Sequence, residues 1–323
     1  MFPQLHHIKG GSLKLCSKLQ IYTFHNTDKK PKMASTPLRS KILSQTRSTS
    51  LPSRSHPLVP QFNEHMHKLK SCDSTPSSIS SINKKLQNLE DLYNCVDDLL
   101  LLPHTQQVFA QECNGKWVEE ILDGYLCLVD ACATAKDFIL HSKEYVLDLL
   151  STLRRRRDSD YFCGFLTSRK MAKKMIQKSL RNLSSFKNKP SILALEKDQE
   201  TIAIISMLKE TESMTLDLIE ALLLSICGMK GHSRQSGWSL VSRLMSSRKI
   251  SGQDSKDAVQ FGELDATLCK IVSLRTLKCE QIDELQQQLK DMDLGIQVVE
   301  ESLECLFKRL IKTRVSLLNM HSQ

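Results

Sequence analysis

From Ile82 onward, apolar residues recur at steps of three and four along most of this chain, the period of helices that each bury one face. Ile82, Leu86, Leu89, Tyr93, Val96 and Leu100 form a first stripe, opposed by Lys84, Lys85, Asp91 and Asp98. Pro103 ends it, because proline lacks the N–H that a continuing helix needs, and a short helix follows through Val108. Asn114-Gly115 makes a break. Trp117, Ile121, Tyr125, Leu128, Cys132, Ala135 and Ile139 carry the next helix, which continues to Leu153. A further helix is expected over Tyr161–Lys187, with Phe165, Met171, Met175, Ile176, Leu180 and Leu183 as its core side. After Pro190 the pattern resumes from Ser191 through Leu195, Ile202, Ile205, Leu208, Leu218 and Leu222 to Cys227, with Gly228 as the stop. Residues 230–256 are weakly periodic and rich in Ser, Gly and Arg, which predicts a flexible insertion.

The last segment is the most regular. Ile282, Leu285, Leu289, Met292, Ile296, Val299, Leu303, Leu306, Leu310, Thr313 and Leu317 alternate steps of three and four without a slip. Such a heptad seam packs at a shallow angle along a partner helix, as in a coiled coil. Two partners fit it, another helix of this chain or a second copy. The expectation is an all-α fold: an elongated antiparallel bundle over 82–323 with a long heptad-patterned C-terminal helix.

Ahead of the bundle the composition changes. Residues 33–81 are rich in Ser, Thr, Pro and basic residues, too poor in apolar surface to offset the entropy of ordering, so 1–81 is expected to be a disordered tail. A short helix is expected to interrupt it at Gln61–Lys70, where Phe62, Met66 and Leu69 share a face. Residues 1–32 read as an upstream extension before an ordinary start at Met33, and the chain as cytoplasmic. The alternative is a chloroplast transit peptide, although this stretch is Ser-poor and holds no Arg.

Charge sharpens this division. The +9 net charge resides wholly in residues 1–82, which hold 12 Lys/Arg against 3 Asp/Glu, while 83–323 hold 33 of each. The basic balance therefore describes the tail and gives no reason to assign nucleic-acid binding to the bundle. Within the bundle, charge alternates by block. Residues 83–153 have 12 acidic and 5 basic side chains, 154–189 have 2 and 12, and 190–229 have 7 and 2. Neighbouring helices of opposite sign would help select pairing order. Only 5% of residues are aromatic, with 11 Gly and 9 Pro, which suits long helices over sheets. The 11 cysteines include no Cys-x-x-Cys and no zinc-finger spacing, so they read as reduced thiols in an intracellular protein without a metal. The most apolar stretch, Leu216–Met229, carries Asp217 and Glu220 and reads as a core helix, so no transmembrane segment is expected.

Two surface segments are the candidates for chemistry. Six of the ten histidines lie in the tail, no His-x-x-x-His pair or Gly-x-Ser-x-Gly elbow occurs, and no glycine-rich phosphate loop is present. No enzyme and no cofactor are expected. The first candidate is Arg47-Ser48-Thr49-Ser50-Leu51-Pro52, which matches the Arg-Ser-x-Ser-x-Pro pattern that 14-3-3 proteins read. A phosphate on Ser50 would offer about two negative charges to an arginine cluster, and Pro52 would turn the peptide out of its groove. The second is a basic segment, Arg154, Arg155, Arg156 and Arg157 followed by Arg169, Lys170, Lys173 and Lys174, suited to an anionic surface such as a membrane. The competing reading is a solvated face that answers acidic neighbours.

Three stretches also carry a family resemblance. The tail from Arg47 to Pro57, the block from Leu89 to Pro103 with its four successive leucines, and the ending from Gly295 to Leu318 resemble the plant BYPASS-like family. The resemblance covers essentially Met33 to Gln323. It implies an all-helical land-plant protein with a role in root and shoot development, and it brings no catalytic residues. The expected function is a non-enzymatic interaction or scaffold protein, with a peripheral membrane or trafficking adaptor as the alternative.

Overall fold

A computed structural model describes residues 58–71, 79–111, 115–155, 159–188, 199–229, 260–274 and 279–322, all within one compact unit, Ser48–Gln323. Among them are eight helices: α1 (Leu58–Ser71), α2 (Ile79–Leu101), α3 (Pro103–Gln111), α4 (Lys116–Arg154), α5 (Ser159–Lys187), α6 (Gln199–Cys227), α7 (Gln260–Leu274) and α8 (Cys279–His321). No strand occurs among the described residues.

The helix ends follow local chemistry. Proline tolerates the first helical position because its missing N–H would have no partner there, and Pro103 opens α3 just after α2 stops. Gly115 stands extended (φ −69°, ψ 126°) as the N-cap of α4. Gly228 closes α6 with φ 74°, a left-handed turn that glycine adopts at no steric cost. Its N–H donates to the Ser225 carbonyl at 2.9 Å and the Met229 N–H to the Leu224 carbonyl at 3.0 Å, satisfying two carbonyls that the helix end leaves free. A side chain at 228 would also strike the Gly262 backbone at 3.0 Å, so this turn lets α7 approach closely.

α8 is 43 residues long, about 64 Å at the helical rise. Its seam is buried from Leu285 to Leu317, with Ile282 partly buried at the edge. The partners are helices of the same chain, chiefly α4 and α2. Lys136 pairs with Glu304 and Lys143 with Glu300, so α4 and α8 run antiparallel. On the other flank Asn83 meets Ser302 and Asp97 meets Lys312, so α2 and α8 run parallel. α6 closes the ring by packing on both α2 and α4. α4 and α6 run the same way, with Glu120 paired to Lys209 and Gly124 against Glu212. The bundle thus holds two pairs of parallel neighbours within an antiparallel whole.

Two features lie beyond the sequence reading. α1 belongs to the core, because Phe62, Met66 and Leu69 are buried, so the packed region begins ahead of Ile82. α7 was not anticipated, yet its buried residues Phe261, Leu264, Leu268 and Ile271 keep helical spacing. The expected insertion at 230–256 lies outside the described residues.

One seam position breaks the apolar rule. Thr313 is fully buried and its hydroxyl lacks a hydrogen-bond partner. An unpaired buried hydroxyl costs free energy that a methyl group of the same shape does not. Thr313→Val is therefore expected to stabilise the protein by about 1 kcal/mol, read as a higher urea midpoint with an unchanged slope. A lower midpoint refutes it.

Candidate functional site

The basic helix α5 is where the structure divides residues that look alike in sequence. Its inward face is set by Phe162, Phe165, Ile176 and Leu183, all buried against the bundle. Arg169 falls on that same face, one turn from Phe165, and is only 3% exposed. Its Nε donates to Asp265 Oδ1 of α7 at 3.2 Å. Its guanidinium also donates to the Ile226 carbonyl at the end of α6 and lies over the Phe261 ring, 4.8 Å from the centroid. Lys173 reaches the other oxygen of Asp265 at 2.6 Å. Arg169 is thus an internal clasp joining α5, α6 and α7, and not the surface contact the sequence suggested. The helix end explains its place: the last carbonyls of α6 have no intrahelical donors, and a cation there also meets the negative end of the helix dipole.

The opposite face of α5 differs. Lys170, Lys174, Lys178 and Arg181 are exposed and follow one another at steps of four, four and three. They form a row about 16 Å long. Among the described residues, none of these four forms an ion pair with a carboxylate, whereas Lys173 is held by Asp265 and Lys187 by Asp217 and Glu220. Met171 and Met175 stand beside the row at 57% and 48% exposure, against the expectation that they belong to the core. One residue, about 100° of rotation, separates each from an exposed lysine and carries it away from α6 and α7. Lys178 and Arg181 were missed in sequence. Their spacing from Lys170 and Lys174 was the available signal.

Arg154 and Arg155 are exposed at the end of α4. Arg156 and Arg157 lie outside the described residues, as do Arg47, Ser48, Ser50 and Pro52 of the 14-3-3 pattern.

Elsewhere, polar groups serve packing. The seam helix α8 is laced on both flanks, by Lys143 of α4 on Glu300 (2.7 Å) and by Asp97 of α2 on Arg309 (3.1 Å) and Lys312 (2.7 Å). Between α2 and α6, the Thr215 hydroxyl donates to the Thr211 carbonyl, so Tyr93 donates to Thr215 at 3.0 Å. Glu212 nearby is buried, which raises its carboxyl pKa, while Lys209 pulls the other way. Its carboxylate lies where a Cβ on Gly124 would stand, so any larger residue there would require the Glu212 side chain to shift.

Burial acts on four of the cysteines in the same way. Burial pushes the Cys132 thiol up to about 12, and it also raises Cys95, Cys227 and Cys305. A raised pKa keeps sulfur in its less nucleophilic thiol form. Among the described residues no cluster of three His, Cys, Asp or Glu side chains has metal-binding geometry, and no helix is long and apolar enough to cross a membrane.

The family model described as Protein BPS1 matches residues 85–320, from early in α2 to the end of α8. No curated protein and no solved structure matches the chain. The matched span takes in nearly all of the four-helix ring with the α5–α7 clasp, well over half of the chain, and this chain belongs to the BPS1 (BYPASS1) family, a family of plant development.

Proposed function

We propose that this chain is a non-enzymatic interaction protein, a helical scaffold acting in root and shoot development through contacts on its surface. The observation that carries this reading is the division of α5: its inward cations are matched by carboxylates, while Lys170, Lys174, Lys178 and Arg181 form an outward row with none among the described residues. A protein needs only inward pairs to fix its helices, so an outward cationic row beside exposed methionines is available for a partner. In this reading the chain works in the cytoplasm, and Ser50 phosphorylation adds a second contact by recruiting a 14-3-3 protein to the Arg47–Pro52 segment.

Proximity labelling in plant cells tests both contacts. The full chain is compared with the triple variant Lys170→Glu, Lys174→Glu, Lys178→Glu, and with a control of equal charge, Lys84→Glu, Lys116→Glu, Lys290→Glu. All six lysines are exposed. The α5 variant is expected to lose a group of labelled neighbours that the control keeps. Separately, Ser50→Ala is expected to lose 14-3-3 proteins from a pull-down. Identical neighbours in all forms would remove the scaffold reading, and equal 14-3-3 recovery would remove the phosphorylation step.

A further inference from the structure

We infer that the outward face of α5 docks on an anionic phospholipid bilayer. This rests on the reading of α5 as a contact face and names the partner for it.

Three features of the face select a bilayer. First, the cations form a single row. Lys170, Lys174, Lys178 and Arg181 lie along one side of a single helix, and no acidic residue occurs between Ser159 and Lys187 except Asp160 near the start. A plane of anionic headgroups attracts such a row as a whole, since each cation near the surface contributes independently. Second, Met171 and Met175 are exposed within the same face. Flexible, unbranched thioether side chains can enter the boundary between headgroups and acyl chains while the neighbouring lysines stay at headgroup level. Third, the row sits on the outward side of one helix. An acidic peptide is gripped by a groove that satisfies its backbone or its side chains, whereas a membrane requires only a convex face.

The clasp matters here because it sets which way the row faces. With Arg169 and Lys173 turned inward onto Asp265, the orientation of α5 about its own axis is determined, and the other cations are left pointing outward. The contact is peripheral, in line with the lack of any described helix long and apolar enough to cross a membrane.

Vesicle flotation of the full chain tests the assignment, using phosphatidylcholine vesicles with and without phosphatidylserine. Binding is expected only with phosphatidylserine and is expected to fall as salt screens the charges. Losing one surface cation weakens such binding about fivefold, so reversing Lys170, Lys174 and Lys178 to Glu is expected to weaken it at least about a hundredfold. The Lys84, Lys116 and Lys290 control is expected to bind as the parent does or only slightly less. Circular dichroism and thermal melting establish that both variants keep the fold.

Equal binding to both vesicle types, binding to neither, equal loss in the two triple variants, or binding by the α5 variant as strong as the parent's, which would assign the contact to the basic segment 1–82, overturns the bilayer assignment. If vesicle binding fails while the α5 variant still loses its labelled neighbours in plant cells, the bilayer is wrong and the contact face stands with a protein partner. If neither changes, both readings fall.

Discussion

Replacing Asp265 with alanine is expected to loosen α7 from the bundle by about 3 kcal/mol, because it strands a buried guanidinium. Arg169 and Asp265 have side chains only 4% and 14% exposed, so water cannot replace the lost carboxylate at Arg169 without opening the packing. Lys173 is about one-third exposed and suffers less, since its ammonium can turn toward solvent. The opening has a built-in reporter. Cys227 is buried at the end of α6, within the electrostatic reach of Lys173, Arg169 and Asp265. Thiol labelling at Cys227, located by peptide mass spectrometry, is expected to speed up about a hundredfold in Asp265→Ala, in proportion to the population of the open form. Cys163 and Cys269 are exposed in the parent and provide internal standards. Hydrogen exchange within α7 is expected to accelerate with it. A further comparison separates loss of the clasp from loss of packing: removing both charges, as Arg169→Met with Asp265→Leu, is expected to cost much less than the single change, because no charge is left buried alone. Unchanged labelling of Cys227 in Asp265→Ala would show that the apolar face of α7 holds it without the ion pair.

The seam of α8 is the second place where a single change is expected to matter greatly. Leu303 is fully buried, and its carbonyl lies 3.7 Å from the Cys132 sulfur, within the tight α4–α8 contact. Leu303→Ala is expected to cost about 3–4 kcal/mol, from lost burial plus a cavity that two long helices cannot collapse to fill. Val298→Ala on the outer side of the same helix, 43% exposed, is expected to change stability by no more than about 0.5 kcal/mol. Urea unfolding followed by circular dichroism gives both values. The contrast also tests the seam's partner. A seam buried within one chain gives a midpoint independent of protein concentration, whereas a seam shared between two copies gives a midpoint that rises with concentration.

Much of this fold was legible in sequence because helical periodicity is local. Each turn brings the third and fourth residue onto one face, so the stripe Leu285 to Leu317 announces both a helix and its buried side with no knowledge of the partner. Stops are local too, and Gly228 and Pro103 act through their own backbone chemistry. α7 went unread for a related reason. Its apolar positions span only four turns and follow a long Ser-rich stretch, so the window that reveals α4 or α8 holds too few repeats there. Met175 was misread because an apolar residue beside a core position, here Ile176, differs from it by only one step of rotation. That difference falls within the uncertainty of any stripe until the neighbours are placed.

The sequence alone determined that this is an all-α chain of long amphipathic helices with its net positive charge in the N-terminal segment, because those properties depend on residues a few positions apart. It also pointed to the family, through strings of adjacent residues. Tertiary structure decided which cations are structural and which face outward. Arg169 and Lys170 are neighbours in the chain, yet one is enclosed by α6 and α7 and the other meets solvent. Their difference comes from Asp265 and Ile226, at 96 and 57 positions' remove. No local pattern encodes such a separation, since it arises only when helices distant in sequence pack side by side.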